Sequence, residues 1–302
     1  MIEFDDKIGD DELQVLGKPK QQDIADSGDN GNNWLWKVIA LVLLCTTIVI
    51  ICISRCDNKA ANCVKAVDTL SQVEKEEVRV VEPKKPLGSY SDNGEAYVEH
   101  IAKEINDIVL DIYIPHNAEP KLAVGRLDKN DSKILFAAQA ADIRADNHKI
   151  TGAYVLAGQP LCWGLSKKGY VSIIDGKIII GVSENSPLFE EATEKNGYFF
   201  RQYPLVDNGV LVENEPKGKA VRKAVCSRGE ETFVVFTTSK ESMHDFAQAL
   251  VDLGVDNAVY LVGSQSNAFM RERNGDYHRL NNKWRKEARY TNYIIWVRKV
   301  EQ

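Results

Sequence analysis

Apolar side chains recur at helical spacing in residues 243–253. They occupy positions i, i+3, i+4, i+7 and i+10, which predicts a helix with one apolar face, capped by Ser239 at its start and Gly254 at its end. The apolar, β-branched run at 258–262 follows and predicts a buried strand. Residues 263–266 then predict a polar turn at the carboxyl end of that strand, where helix-flanked sheets commonly bind ligands. An ordinary surface turn is the alternative.

The remaining pattern after residue 90 consists mainly of short strands. Two pairs of predicted strands flank Asp175-Gly176 and Asn208-Gly209, dipeptides that supply the positive φ values of tight hairpin turns. Many strands with few helices predict an α+β domain with a mixed, mostly hairpin-linked sheet. Helices are predicted at 96–105 and 187–195, and further strands at 108–114, 222–226, 232–237 and 290–300.

A long apolar run occupies residues 34–54. About 20 residues at a rise of about 1.5 Å span the roughly 30 Å hydrocarbon core of a bilayer, so the run predicts a transmembrane helix in contact with lipid. A buried soluble helix is the alternative. Residues 1–33 are polar and predict a disordered tail. Lysines and arginines are balanced across the run, so the layout of a single-pass signal anchor decides the expected orientation, with the C-terminal domain periplasmic or at the cell surface.

Residues 55–89 predict a helical stalk and a linker. Apolar positions from Cys56 to Leu70 alternate steps of four and three, the spacing of a coiled coil, and they allow a homodimer through the stalk. A single solvated helix is the alternative. Pro83 and Pro86 indicate a linker, and residues 90–302 form the predicted globular domain.

Charge and cysteine content exclude some classes of function. The formal net charge of -6, with no basic stripe, argues against nucleic acid as a partner. The six cysteines show no CxxC or Cys/His ligand spacing, so neither a metal site nor a cofactor is expected. Cys162 and Cys226 are predicted either to pair, if the domain is extracytoplasmic, or to remain buried free thiols.

Two polar features are candidates for chemistry in a chain without a P-loop, GxSxG, HExxH or dinucleotide motif. Asp142, Arg144 and Asp146 follow the apolar run 134–141, which indicates a polar cluster at a strand end or a solvated loop. Arg222 opens a predicted strand, and its planar guanidinium can hold a phosphate with two parallel hydrogen bonds. A structural ion pair is the alternative for Arg222.

Four sequence blocks follow one another in the C-terminal domain: ITGAYVLAGQP at 150–160, FRQYPLVDNG at 200–209, RKAVC at 222–226 and HDFAQALVDLGVDNAVYLVGSQS at 244–266. Their order resembles that of the phosphodiester glycosidase family, over roughly residues 110–274. The resemblance implies the family's fold and an activity on a sugar phosphodiester or a related envelope glycan.

The resemblance also implies site residues. Arg222 matches the family's arginine, Gly152 the glycine of its Asn-Gly block, and Ser266 the serine that closes its Asp-Gly-Gly-Gly-Ser turn. The expected catalytic residues are Arg222, Ser264, Ser266 and Asp142, and the expected substrate-binding residues are Gly152, Gly263, Gln265 and Asn208.

The chain departs from the family at two positions. Val262 stands where the family has Asp, and Thr151 stands where it has Asn. Valine supplies neither a proton nor a charge, so it cannot replace an acid–base carboxylate. Two hypotheses follow: a phosphodiester glycosidase-like hydrolase, or a catalytically inactive glycan- or protein-binding domain of the cell envelope.

Overall fold

The computed structural model describes residues 84–89 and 94–299. The predicted tail at 1–33, the apolar run at 34–54 and most of the predicted stalk lie outside these residues. In the part of the chain that is described, no helix has the length and apolar character needed to cross a membrane.

The described residues form seventeen strands and two helices. The strands are β1 (Tyr97–Ile105), β2 (Ile108–His116), β3 (Ala118–Val124), β4 (Ile134–Gln139), β5 (Ala153–Leu156), β6 (Gln159–Trp163), β7 (Gly169–Ile174), β8 (Lys177–Val182), β9 (Tyr198–Gln202), β10 (Pro204–Asp207), β11 (Val210–Leu211), β12 (Ala220–Arg228), β13 (Glu231–Glu241), β14 (Asn257–Leu261), β15 (Ala268–Arg271), β16 (Tyr277–Arg279) and β17 (Asn292–Arg298). The helices are α1 (Leu188–Glu194) and α2 (Met243–Asp252).

The strands assemble into three sheets. A seven-stranded sheet has the order β1-β2-β13-β12-β14-β10-β11, and two five-stranded sheets have the orders β16-β15-β4-β17-β3 and β6-β5-β9-β7-β8. Each strand pairing among the described residues is antiparallel. The prediction of a sheet-rich α+β domain with few helices is confirmed.

Both faces of the seven-stranded sheet are buried. The apolar face of α2 packs on one side, where Phe246 and Leu250 meet Val235 of β13. The next side chain back along β13, Val234, points to the opposite side and joins a core shared with the two smaller sheets. Successive residues of a strand face opposite sides, so β13 reads as a continuous apolar run rather than an alternating one.

The predicted helix and strand at 243–262 are confirmed as α2 and β14, but the predicted cap is wrong. Ser242 is the N-cap, and its hydroxyl accepts a hydrogen bond from the amide of Asp245 at 2.9 Å. Ser239 belongs to β13, because that strand continues to Glu241. Gly254 follows the helix with a φ of +84°, and its amide donates to Val251 O at 2.8 Å.

The predicted helix at 96–105 is also wrong, because this segment is strand β1. Its residues pair with β2 in continuous register from Tyr97 opposite His116 to Ile105 opposite Ile108. From Glu99 to Ile105, half-buried and exposed residues alternate along the strand, and Lys103 is one of the half-buried residues. The pairing with β2 decides the conformation here, since the sequence spacing of Tyr97, Ile101 and Ile105 also fits a helix.

The other predicted elements are confirmed. Asp175-Gly176 connects β7 and β8 with φ values of +52° and +73°, and Asn208-Gly209 connects β10 and β11 with +49° and +78°. Residues 187–195 contain α1, and the strands predicted at 108–114, 222–226 and 232–237 are parts of β2, β12 and β13. The strand predicted at 290–300 contains the shorter β17.

Candidate active site

The polar turn, residues 263–266, is held between three strands. Immediately before it, the Val262 amide donates to Gln139 O at 3.2 Å and to Ala140 O at 3.3 Å at the end of β4. Within it, the Ser264 amide donates to Val221 O of β12 at 2.7 Å. The turn therefore joins the carboxyl end of β14 to both β4 and β12, which belong to different sheets.

Backbone packing explains why the turn begins with glycine. A Cβ at Gly263 would lie 2.3 Å from the Tyr260 hydroxyl and 2.5 Å from Val221 O, distances that a side chain does not tolerate. Ser264 follows with a φ of +54°, in the left-handed region. The chain thus turns sharply against Tyr260, exposing Ser264 and burying Ser266.

A β-bulge places Arg222 beside Tyr260. The register between β12 and β13 shifts between Val221 and Lys223, and the Arg222 amide donates to Thr237 Oγ1 at 2.9 Å instead of joining the ladder. Its guanidinium donates through Nε to Glu241 O at 2.8 Å, through Nη2 to Gly218 O at 2.6 Å and through Nη1 to the Tyr260 hydroxyl at 3.4 Å.

These contacts limit the number of N–H donors that Arg222 can direct at a ligand. A guanidinium has five N–H donors, and three of them are directed at protein acceptors. Two donors on the terminal nitrogens are left, and the side chain is buried. Arg222 is thus held rigidly, and its role in phosphate binding stays a prediction.

Lys223 is a buried amine that the sequence analysis did not single out. Its Nζ donates to Ser266 Oγ at 2.7 Å and to Ser266 O at 3.0 Å, and it lies 4.8 Å from the centre of the Phe236 ring. Burial lowers the pKa of Lys223 to about 7, since a cation is poorly solvated there. Among residues 94–299, no carboxylate forms an ion pair with it.

Asp142 places a carboxylate close enough to Tyr260 for its charge to act on that hydroxyl. It follows the end of β4, forms an ion pair with Lys167, and its side chain is 38% exposed, whereas that of Lys167 is 8% exposed. The Nζ of Lys167 also lies 4.6 Å from the centre of the Tyr203 ring. Lys167 is thus fixed in position and holds the Asp142 carboxylate, which remains open to solvent.

The Tyr260 hydroxyl connects Asp142 with Arg222. Burial raises the pKa of this hydroxyl, the Arg222 guanidinium lowers it, and the negative charge of Asp142 raises it further. The carboxylate of Asp142 and the guanidinium of Arg222 therefore change the pKa of the same hydroxyl with opposite sign. This makes Tyr260 the centre of the candidate site.

Gly152 supports the position of Lys167. It has a φ of +89°, and a Cβ there would lie 3.2 Å from Arg201 Cβ and 3.3 Å from Ser166 O. The buried Arg201 donates in turn to Lys167 O at 3.0 Å and to Ser183 O at 2.8 Å. Burial lowers the pKa of Arg201. Gly152 thus packs against the residues that fix the backbone of Lys167, the lysine that pairs with Asp142.

The structure brings most of the predicted site residues together, with one exception. Arg222, Asp142, Gly152 and the polar turn surround Tyr260 and Lys167. Asn208 does not lie with them, because its amide donates to Asn257 Oδ1 at 3.0 Å at the start of β14. Four residue steps of about 3.3 Å separate that position from the end of β14, roughly 13 Å.

Cys162 and Cys226 are free thiols, and Cys162 Sγ donates to Ile150 O at 3.3 Å. Of the two alternatives predicted for these cysteines, the structure therefore shows the free thiols. In the described ranges, no group of three His, Cys, Asp or Glu side chains is arranged to hold a metal ion.

The sequence pattern of the family described as phosphodiester glycosidase matches residues 133–298, more than half of the chain. The chain belongs to the phosphodiester glycosidase family. No curated protein matches it.

Two solved structures are similar to this phosphodiester glycosidase family member. One is the zebrafish N-acetylglucosamine-1-phosphodiester alpha-N-acetylglucosaminidase catalytic domain, auto-inhibited by its pro-peptide, with 14% identity, a TM-score of 0.49, and coverage of 68% of this chain and 83% of that one. The other is a hypothetical protein from Synechocystis, with 12% identity, a TM-score of 0.46, and coverage of 67% and 62%.

Proposed function

We propose that this phosphodiester glycosidase family domain hydrolyses the glycosidic bond of a sugar phosphodiester beside Tyr260. One observation carries the proposal: Asp142 presents a half-exposed carboxylate whose charge acts on the Tyr260 hydroxyl, while Val262, just before the turn, replaces the acid expected from the family resemblance. The segment that follows β4 would thus supply the carboxylate that position 262 lacks.

Asp142 would act as the base that activates water. A carboxylate within hydrogen-bond reach of a water molecule can accept its proton as the oxygen attacks the anomeric carbon. The lysine contact fixes the carboxylate, and the exposed edge leaves room for water and substrate. In this step the C1–O bond breaks, the water oxygen bonds to C1, and the phosphate leaves with the bonding electrons.

The leaving group explains why one carboxylate suffices. A departing phosphate monoester has a second pKa of about 6, so it leaves as a stable anion without obligatory protonation. Its charge would be stabilised by the two remaining donors of Arg222 and by the hydroxyl of the exposed Ser264. In this proposal Arg222 and the turn bind the phosphate, and Asp142, just after β4, supplies the base.

The proposal also includes the location of the domain relative to the membrane. The apolar run at 34–54 would anchor the chain in a membrane, with the domain facing the cell envelope outside the cytoplasm. Protease added to intact cells, or to cells with a permeabilised outer envelope, would then cleave the domain. Complete protection of residues 90–302 under both conditions would exclude this orientation.

The activity is tested with a panel of sugar 1-phosphodiesters that differ in the sugar and share one chromogenic alcohol on the phosphate. The full chain is expected to release free sugar from at least one of them, and Asp142→Asn is expected to lower kcat by about a hundredfold or more. Asp146→Asn is the matched control, because Asp146 is exposed and bonds only its neighbours. Equal losses in the two variants, or no turnover across the panel, would refute the proposal.

A second function, ligand binding without catalysis, has its own supporting observation. Lys223 and Ser266 bond each other, and three of the five donors of Arg222 are directed at protein acceptors, so most polar groups of the site are satisfied without a substrate. Saturable binding of a sugar phosphodiester, with no release of sugar over many hours, would select this function over hydrolysis.

A further inference from the structure

Three adjoining depressions form a groove on the surface beside the candidate active site. They have volumes of about 440, 430 and 640 Å³. The first and second share Arg126 and Lys129, and the second and third share Lys286 and Glu287. The depressions are therefore continuous, and we call them the basic groove.

The groove concentrates positive charge in an acidic protein. Six lysines and arginines line it: Arg126, Lys129, Lys149, Arg285, Lys286 and Arg289. Within the described residues, none of these six forms an ion pair. Unpaired cations gathered in one concave surface attract anions.

In the described part of the chain, the two acidic residues of the groove form no ion pairs with these cations. Glu287 Oε1 accepts hydrogen bonds from the Leu127 amide at 3.2 Å and from the Tyr293 hydroxyl at 2.8 Å. Asp128 Oδ1 accepts the Asn130 amide at 2.9 Å. Both carboxylates thus bond nearby backbone or hydroxyl groups, and the cationic side chains remain available.

Aromatic rings in the groove are covered by its cations. Lys129 Nζ lies 4.5 Å from the centre of the Trp284 ring, and the Arg289 guanidinium lies 5.3 Å from that of Tyr290. Binding of single-stranded nucleic acid relies on open aromatic faces that stack on bases, so these covered rings do not favour it. The exposed large apolar side chains of the described residues, such as Trp163 and Leu165, lie outside the groove, which gives no support to insertion into lipid here.

The groove is tied directly to the polar turn. Asn267 follows the turn, and its side chain donates to Arg285 O at 2.9 Å and accepts the Arg285 amide at 2.7 Å. Asn281 donates to Gln265 O at 3.4 Å and to Lys283 O at 2.8 Å. The chain segment that carries Arg285 and Lys286 is thus bonded to the loop that borders the candidate site.

We propose that the basic groove binds the continuing chain of a linear glycan whose sugars are joined by phosphodiesters. The choice of a sugar-phosphate chain rests on the proposed function, since one link of that chain would then lie beside Tyr260. Three joined depressions fit several successive phosphates, whereas one phosphate occupies a single depression. The substrate class would accordingly be a polymer, and affinity would rise with its length.

The test measures binding of a synthetic hexamer of hexose units joined by phosphodiesters. The full chain carries Asp142→Asn to prevent cleavage and is held in nanodiscs of zwitterionic phosphatidylcholine. Arg126→Gln/Lys286→Gln/Arg289→Gln is expected to weaken binding by about tenfold or more, and binding is expected to fall steeply with added salt. The control triple Lys103→Gln/Lys177→Gln/Lys195→Gln removes the same charge from strands and a helix end elsewhere, and should change binding less than twofold.

Several results would overturn the groove assignment. The first is equal weakening of hexamer binding by both triple variants. The second is equally tight binding of a neutral hexose hexamer. The others are tighter binding of a single-stranded oligonucleotide with the same number of phosphates, and capture of anionic vesicles in preference to the hexamer. The experiments distinguish failure of the proposed hydrolysis from failure of glycan binding in the basic groove. Hydrolysis of a single sugar 1-phosphodiester without hexamer binding removes only the groove, and hexamer binding without hydrolysis by the chain with Asp142 intact removes only the proposed activity.

Discussion

The Nζ of Lys223 donates to Ser266 Oγ at 2.7 Å, and both side chains are buried. The Ser266 hydroxyl donates onward to Val262 O, so the pair closes the polar turn from within. A lysine in this position carries a desolvation cost whenever it is protonated. The pair therefore makes the stability of the turn depend on pH.

The first prediction concerns the free energy of unfolding of Lys223→Met. The pKa of Lys223 is about 7 in the folded chain and 10.5 when unperturbed, so between these values the unfolded state binds a proton that the folded state lacks. Unfolding free energy then rises with pH across this window, and the penalty is complete below about pH 7. Methionine removes the penalty, so the stability advantage of Lys223→Met over the natural chain is expected to shrink by roughly 4 kcal/mol from pH 6.5 to pH 10.5.

Chemical denaturation of the full chain in mild detergent, at a series of pH values, measures this difference. Lys177→Met is the control, because Lys177 is exposed at a hairpin. A difference between Lys223→Met and the natural chain that stays constant over the window would show that Lys223 is charged in the folded protein.

The second prediction concerns Gly263→Ala. A methyl group there would lie 2.5 Å from Val221 O and 2.3 Å from the Tyr260 hydroxyl, and the backbone atom cannot move without shifting β12. Overpacking of this kind destabilises by about 1–3 kcal/mol, and the turn is expected to shift with it, so that turnover also falls. Gly164→Ala serves for comparison, since its new methyl would meet its nearest atom at 3.4 Å. Equal stability of the two variants would contradict the packing described for the turn.

A third prediction separates the two roles of Arg222. Lysine keeps the charge but cannot reach Glu241 O, Gly218 O and Tyr260 together, so Arg222→Lys should cost about 1–3 kcal/mol of stability and raise KM for a sugar phosphodiester. Arg228→Lys on the same strand should alter stability alone, because Arg228 contacts Lys85 O, away from the turn. If Arg222→Lys loses stability while KM is unchanged, Arg222 is a structural residue only.

A fourth prediction concerns Lys167, which holds Asp142 and packs on the Tyr203 ring. Lys167→Met should lower kcat by about tenfold, because a carboxylate that is free to rotate is less often aligned with its water. Its neighbour Lys168 is exposed and pairs with Glu184, so Lys168→Met should leave kcat unchanged. The same loss from both substitutions would indicate a general effect of charge rather than positioning of Asp142.

The elements that could be predicted from sequence are those whose pattern is local. The 3.6-residue spacing of α2 and the Asp-Gly and Asn-Gly turns determine their conformations almost alone. Strand β1 could not be predicted, because Tyr97, Ile101 and Ile105 fit either a helix face or one side of a strand until β2 pairs with them. Non-local pairing is the deciding interaction there.

The candidate site was predictable only in part for the same reason. The resemblance to the family located Arg222 and the polar turn, and the polar cluster after β4 located Asp142. Lys167 is 25 residues from Asp142, and Lys223 is 43 residues from Ser266, so no short motif joins either pair. The one local signal was a lysine within the apolar run of β12, which indicates a buried charge.

The central claim is that water attacks the sugar carbon of a phosphodiester at the site formed by Asp142, Arg222 and the polar turn. Hydrolysis in water enriched in ¹⁸O tests it most directly, since the label reports which bond breaks. Mass spectrometry of the products is expected to find ¹⁸O on C1 of the released sugar and none in the phosphate, with the label lost in Asp142→Asn because turnover stops. Incorporation of ¹⁸O into the phosphate would show attack at phosphorus and would contradict a glycosidase mechanism at this site.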